Sequence, residues 1–323
     1  MSASNTATRL PWSIKVDEMN IPAIKTLNLT KSFGATIAVD KLTIEINKGE
    51  LFGLVGPDGA GKTTTMRLLT AIMDPTSGEA WVAGRSILTE GERIKEKIGY
   101  MSQRFGLYED LTVMENILFY ADLYEVPKKE RPQRTERLLG FSNLTPFKDR
   151  LAGKLSGGMK QKLGLACSLI HTPEVLFLDE PTNGVDPVSR RDFWKILYDL
   201  LKEGVTILVS TAYLDEAERC TRIGLMHKGK ILSEDEPKNV RSSLGLPMIE
   251  VWSVSARSAA ERVRKVSGVR SVSLYGDRLH IALEKKERTA EIIAELQQSG
   301  IAIKDFREIL PSLEDVFIAM VEK

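Results

Sequence analysis

Apolar positions change their period several times along the chain, and the changes divide it into elements. Leu42, Ile44 and Ile46 alternate with Thr43 and Glu45, the period of a half-buried strand. The strand-like pattern covers Ile24 to Ile46 and ends in the turn Asn47-Lys48-Gly49. Glu50–Val55 then predicts a short buried strand, and Lys62–Ile72 a helix that Asp74-Pro75-Thr76-Ser77-Gly78 terminates. Ala80–Val82 predicts another strand. Asp110–Tyr124, Lys128–Leu139 and Gly157–Ile170 predict helices, the first with Leu111, Met114, Ile117 and Leu118 on one face. Val175–Leu178 is wholly apolar and is closed by Asp179-Glu180-Pro181, as expected of a central parallel strand. Asp186-Pro187 opens a helix to Leu201 with proline in its first turn. Val205–Ser210 is the next buried strand, and Ile223–His227 with Lys230–Leu232 predicts a hairpin.

Strands alternating with helices predict a parallel α/β core. The first strands and the Ile223–Leu232 hairpin break the alternation and predict an added antiparallel layer. Composition changes near Ser242–Pro247. The pattern beyond it is strand (Met248–Val254), helix (Ala256–Val266), strand (Val269–Tyr275), strand (Arg278–Glu284), helix (Arg288–Gln298) and strand (Ala302–Phe306), with a last helix from Pro311. This βαββαβ order is the split-βαβ, ferredoxin-like arrangement. The expected organisation is a polar leader at 1–22, a main domain at 23–242 and a small α+β domain at 243–323.

Bulk properties exclude more than they assign. Lys+Arg 45 against Asp+Glu 44 leaves a net charge of +1, which provides no global electrostatic case for nucleic acid or a membrane surface. Cys167 and Cys220 are the two cysteines and form neither a metal spacing nor a disulfide framework. The start of the chain has no apolar stretch behind a basic segment, so no secretory signal is expected. The longest apolar runs are too short to span a bilayer.

Gly56-Pro57-Asp58-Gly59-Ala60-Gly61-Lys62-Thr63 matches G-x-x-x-x-G-K-[ST] in full, with Thr64 following. Glycines let the backbone wrap closely around phosphate oxygens. Successive N–H groups and the start of the helix then face the anion. Lys62 is placed to neutralise β- and γ-phosphates and the Thr63 hydroxyl to ligate Mg²⁺. A strand before and a helix after are the context this loop requires. ATP and Mg²⁺ are therefore the expected ligands.

Asp179 and Glu180 end a buried strand where open α/β sheets bind ligands. Asp179 is a candidate for the metal shell and Glu180 a candidate general base toward water; the alternative is a solvated acid pair. Ser156-Gly157-Gly158 opens another helix with exposed N–H groups, a second phosphate cradle. One site has no evident use for two cradles. Two copies facing each other would, each lending this segment to the other's nucleotide.

At this point the sequence resembles the ATP-binding subunits of ABC transporters, over about Ile24–Lys323, and especially those of ABC-2-type exporters. Gly56–Thr63 is similar to Walker A, Leu155–Gln161 to the signature motif, Val175–Glu180 to Walker B with its catalytic glutamate, and Asn183-Gly184-Val185-Asp186 to the D-loop. Gln103 resembles the Q-loop glutamine, with catalytic and metal roles in that family. Phe33 resembles the aromatic residue that stacks on adenine, with a core phenylalanine as the alternative. Leu107–Asn116 and Leu310–Phe317 resemble segments of the exporter branch, the first opening its helical subdomain. The resemblance implies a P-loop ATPase core, a catalytic set of Glu180, Lys62 and Gln103, and a second nucleotide-binding subunit in a homodimer or heterodimer. It also implies transmembrane permease partners and a location on the cytoplasmic side of a membrane.

One position departs from that pattern. The family's switch histidine is replaced by Ala212 in Val209-Ser210-Thr211-Ala212-Tyr213, and none of His171, His227 and His280 stands there. Slow hydrolysis is the expectation for two identical sites, with Tyr213, Thr211 or a complementary subunit as alternative sources of the missing contact. An ABC ATPase acting on ribosomes or DNA is the second reading, disfavoured by a single nucleotide domain and no basic excess. A nucleotide-binding regulator that barely hydrolyses is the third. The segment 243–323 shows no catalytic spacing, and its Lys and Glu residues read as a solvated face.

Overall fold

Continuous apolar runs become the centre of the molecule. The computed structural model describes residues 21–103, 106–253, 255–285, 289–298 and 303–321. The polar leader, apart from its last two residues, lies outside them, as do the expected element ends at Val254, Arg288 and Ala302.

The chain begins with β1 (Ile24–Phe33), β2 (Thr36–Leu42), β3 (Glu45–Ile46) and β4 (Leu51–Val55), then α1 (Lys62–Leu69). After these come β5 (Ser77–Val82), β6 (Arg85–Ser86), α2 (Gly91–Lys95) and β7 (Ile98–Met101). Three helices follow, α3 (Val113–Leu123), α4 (Arg131–Phe141) and α5 (Gly157–Leu169). The next elements are β8 (Val175–Asp179), α6 (Pro187–Lys202), β9 (Thr206–Thr211), α7 (Leu214–Ala217), β10 (Arg222–His227) and β11 (Lys230–Asp235).

Two sheets organise these elements. One is antiparallel, ordered β2-β1-β5-β6 with β3 pairing β1; the other has six strands ordered β11-β10-β4-β9-β8-β7. Every residue of β4, β8 and β9 is buried, the signature of strands covered on both faces. They pair in parallel, β4 with β9, β9 with β8 and β8 with β7. A hydrophobic core joins Ile24 and Leu29 of β1, Phe52 and Leu54 of β4, Met66 and Leu69 of α1, and Phe177 of β8. Helices α3, α4 and α5 pack on one another, and α5 also packs on β7 and α6.

The Ile223–Leu232 hairpin does not join the antiparallel layer, contrary to its reading in the sequence. It extends the six-stranded sheet, because four consecutive residues of β10 are buried and demand cover on both faces. Helix ends also move where capping chemistry decides them. The expected start at Asp110 shifts to Val113, since the Thr112 side chain caps the Glu115 N–H and Glu115 reciprocates. Helix α1 stops at Leu69 instead of Ile72, and Ala71 turns left-handed at φ 53°.

Backbone packing divides the chain into two compact units. Among the described residues, the first comprises those of 21–213 and 226–231, the second those of 214–225 and 232–321. The composition change near Ser242 therefore falls inside the second unit. That unit holds α8 (Pro237–Ser242), β12 (Met248–Ser253), α9 (Ala256–Val263), β13 (Val269–Tyr275), β14 (Arg278–Leu283), α10 (Thr289–Gln298), β15 (Ile303–Ile309) and α11 (Leu313–Val321). Its four strands form an antiparallel sheet in the order β13-β14-β12-β15. Ile249 and Val251 of β12 and Leu279 and Ile281 of β14 pack against Ala259 and Val263 of α9 and Ile292 of α10.

The alternate residues of the same strands build a polar layer. Glu250 pairs across to His280 and to Arg307. Its carboxylate, 3% exposed, receives Arg307 Nε at 2.8 Å and Arg278 Nη1 at 3.3 Å. His280 Nδ1 lies 3.0 Å from Asp315 Oδ2 on α11, and its Nε2 lies 3.4 Å from Glu250 Oε1. Glu250 thus departs from the solvated face expected of the lysines and glutamates in this segment.

Candidate functional site

The loop between β4 and α1 is bent by backbone geometry that its glycines alone permit. Gly61 has φ 109°, and a Cβ there would meet the Ala38 carbonyl oxygen at 2.3 Å. A Cβ on Gly56 would meet the Met226 carbonyl oxygen at 2.1 Å. Contact requires glycine at both positions, and at Gly61 the positive φ requires it as well. The N–H groups opening α1 carry no side-chain cap, which leaves a helix N-terminus suited to an anion.

A cavity of about 500 Å³ opens over this loop. Asp58, Gly59, Ala60, Gly61, Lys62, Thr63 and Thr64 form its floor. Phe33, Ala38, Gln103, Glu180 and Asn183 complete the wall. The Phe33 ring is 49% exposed, so it is no core residue, and Lys31 Nζ stands 5.3 Å from its centroid. Gly56 and Pro57 meet the site through their carbonyls, which accept hydrogen bonds from Lys62 Nζ at 2.7 and 3.1 Å.

Two carboxylates end β8 in different surroundings. Asp179 is fully buried. Its Oδ1 accepts from Ser210 Oγ at 2.7 Å and from Thr63 Oγ1 at 3.1 Å, whereas its buried Oδ2 has no hydrogen-bond partner among the described residues. Glu180 turns into the left-handed region at φ 50°. Its Oε1 is 3.1 Å from Lys62 Nζ, and its Oε2 accepts from Gln103 Nε2 at 3.1 Å and Asn183 Nδ2 at 3.4 Å. Burial first, then the negative charge of Asp179, pushes the Tyr100 hydroxyl up to about 12 and keeps it protonated.

An orphaned carboxylate oxygen in a buried setting is costly unless something satisfies it. Asp179 Oδ2, the Thr63 hydroxyl and the Gln103 amide oxygen are hard oxygen donors that suit Mg²⁺, an ion that is commonly held by one or two carboxylates and keeps phosphate and water in the rest of its shell. The donor set fits that ion.

Other expected residues fall elsewhere. Ser156, Gly157 and Gly158 do not line the cavity. Ser156 caps α5 by accepting the Met159 N–H at 3.3 Å. Gly158 is fixed by packing, since a Cβ there would lie 2.4 Å from both Cβ and Oγ of Ser189 on α6. Ala212 borders a smaller cavity of about 120 Å³ with Asp58, Glu180, Thr182, Asn183, Thr211 and Tyr213. The Tyr213 hydroxyl donates to Asn183 Oδ1 at 3.4 Å, and Arg190 stacks over its ring at 4.6 Å. Ser210 was invisible as a site residue in sequence; only its register opposite Asp179 reveals it.

A buried parallel sheet, a glycine loop feeding a helix N-terminus and an acid pair on the adjoining strand define a P-loop nucleotide-binding protein of the ATP-binding cassette class. A family profile for the ABC transporter matches residues 39–183, and one for the C-terminal domain of DrrA1-3-like ATP-binding proteins matches 236–321. The chain belongs to the ABC transporter ATP-binding protein family. It is 33% identical over 303 residues to the daunorubicin/doxorubicin resistance ATP-binding protein DrrA of Streptomyces peucetius, covering 92% of each chain. It is 46% identical over 286 residues to the probable multidrug ABC transporter ATP-binding protein YbhF of Escherichia coli (strain K12), covering 88% of this chain and 49% of that one. The chain thus spans about half the length of that relative. The ATP-binding cassette MJ0796, solved as a dimer in a post-hydrolysis state bound to ADP and Pi, is 27% identical with a TM-score of 0.60. That match covers 66% of this chain and 98% of MJ0796. Membership implies nucleotide binding and ATP hydrolysis. No helix among the described residues is long and apolar enough to cross a membrane.

Proposed function

We propose that this chain is the ATP-hydrolysing motor subunit of an ABC-2-type exporter, driving efflux through separate transmembrane permease subunits from the cytoplasmic side of the membrane. The carrying observation is the convergence of Lys62, Gln103 and Glu180 on one cavity, with Asp179 and Thr63 joined beneath. In this reading residues 23–242 are the nucleotide-binding domain. Residues 243–323 are an accessory domain of ferredoxin-like type, supported by the strand order β13-β14-β12-β15. The drug-resistance and multidrug names of the relatives support export, with no substrate implied.

The adenine would stack on Phe33, and the phosphates would lie against the N–H groups of the loop at 56–64. Lys62 would turn from the Gly56 and Pro57 carbonyls toward phosphate. Thr63, Asp179 and Gln103 would hold Mg²⁺, which supplies charge neutralisation at the phosphates when bound. Glu180 would accept the proton of the attacking water at a carboxylate oxygen. The segment Ser156–Gly158 would complete the site of a second nucleotide-binding subunit, because it stands outside this chain's own cavity. Closure of two such subunits on ATP would push on the permease, and hydrolysis would reopen them.

The test is nucleotide binding and turnover by the purified chain beside Lys62→Ala and Glu180→Gln, with co-purification of permease subunits from membranes. Loss of binding in Lys62→Ala and loss of turnover in Glu180→Gln are expected. Nucleotide affinity unchanged in Lys62→Ala would sink the assignment. A second reading, a regulator that hydrolyses slowly, draws on Ala212 and the open volume beside it.

A further inference from the structure

We propose that Ser210 is a positioning residue that locks the two carboxylates of the site into one unit and sets the Mg²⁺ dependence of nucleotide binding. The inference rests on the nucleotide-site reading above. Ser210 is fully buried on β9, directly opposite Asp179 in the parallel ladder. Its hydroxyl has one proton, donated to Asp179 Oδ1 at 2.7 Å. Its oxygen accepts the Glu180 N–H at 3.0 Å, and its carbonyl accepts the same N–H at 3.2 Å. A single side chain therefore touches both acidic residues.

Each contact has a consequence. With Ser210 and Thr63 both donating to Oδ1, the Asp179 carboxylate cannot turn freely, and Oδ2 is left as the unpartnered oxygen. If Thr63 leaves Oδ1 to meet a metal, Ser210 is the remaining donor on that oxygen among the described residues. The second contact restrains Glu180, whose φ of 50° is uncommon outside glycine. Strain of this kind persists where the surroundings over-determine the backbone, and here two acceptors on Ser210 receive one N–H. Partners that orient a metal ligand without touching the metal commonly change its affinity by about 10–100-fold when removed.

The experiment uses the whole purified chain and a fluorescent, non-hydrolysable ATP analogue, titrated in MgCl₂ and again in EDTA. The readout is the ratio of the two affinities. Ser210→Thr keeps the hydroxyl, whereas Ser210→Val has nearly the same shape without it, so packing strain is shared between them. Ser210→Val is expected to lower the Mg²⁺-dependent gain about tenfold with little change in EDTA, and Ser210→Thr to retain most of it. If Ser210→Val does not fold, Ser210→Ala replaces it and is compared with wild type. Equal gains in the hydroxyl-bearing and hydroxyl-free variants would overturn the role of Ser210 alone. A wild-type chain with no Mg²⁺-dependent gain would overturn the reading of the site and this inference together.

Discussion

Lys62 Nζ and Glu180 Oε1 are 3.1 Å apart, with side chains 4% and 10% exposed. The ammonium that would meet phosphate and the carboxylate that would meet water thus satisfy each other. Entry of a phosphate between them would divide the pair, which in the proposed mechanism would tie release of the base to arrival of the nucleotide.

Glu180→Gln therefore does more than remove a base. Loss of the charge partner is expected to destabilise the nucleotide-free chain by about 2 kcal/mol and to tighten ATP binding, because Lys62 no longer prefers the carboxylate. Turnover falls at least about 10²-fold. Denaturant melts without nucleotide, together with ATP titrations, check both halves.

Ala212→His places an imidazole beside a cavity of about 120 Å³ that Glu180 and Asn183 line. Steady-state turnover is expected to rise about tenfold, less than the 10²–10³-fold attached to a donor in an optimised site, because Tyr213 and Asn183 already occupy part of that wall. No rise would mean that the missing imidazole does not limit hydrolysis.

Gly158→Ala is expected to destabilise the chain by about 1 kcal/mol. Helix propensity favours alanine by about 1 kcal/mol, but overpacking against Ser189 opposes it by about 1–3 kcal/mol. The second substitution Ser189→Gly removes the obstructing Cβ and Oγ and should restore stability, a coupling that a double-mutant cycle measures.

Two part-buried histidines, His171 and His280, predict opposite pH responses. His171 stacks on Tyr124 with ring centroids 3.8 Å apart. Burial pulls its pKa down to about 4 against the opposing bond to the Ile98 carbonyl. The unfolded chain takes up that proton first, so this contribution is present above about pH 6.5 and is lost as pH falls toward 4. For His280, burial alone lowers the pKa, but Asp315 and then Glu250 outweigh it and hold the imidazole above its ordinary value. That contribution is full below about pH 6.5 and is lost as pH rises through the raised value. Tyr275 faces the same ring, while Arg278 and Arg307 answer Glu250. Urea midpoints across pH should flatten on the acid side in His171→Gln and on the alkaline side in His280→Gln.

Features carried by consecutive residues were legible in the sequence. The unbroken apolar run Val175–Leu178 of β8 and the glycine loop at 56–63 declare their surroundings locally. Features that depend on strand order were not. Nothing local distinguishes Ser210 from any small polar residue ending a strand; its meaning comes from β8 lying alongside β9. Glu250, His280 and Asp315 are brought together from separate elements, so alternation alone could not separate them from a wetted surface. Helix starts moved where caps such as Thr112 decide them; the Thr112-x-x-Glu115 capping box was written in the sequence, but periodicity passes over it.

The close approach of Gly158 to Ser189 reaches into how such a chain drifts over generations. A bulkier residue at 189 would press its Cβ substituents toward α5 or out to solvent, and α5 carries the segment that a neighbouring copy would receive. Under the proposed two-subunit arrangement, a helix-surface substitution at Ser189 would be felt in another molecule's reaction, and its tolerated alphabet should shrink toward small side chains.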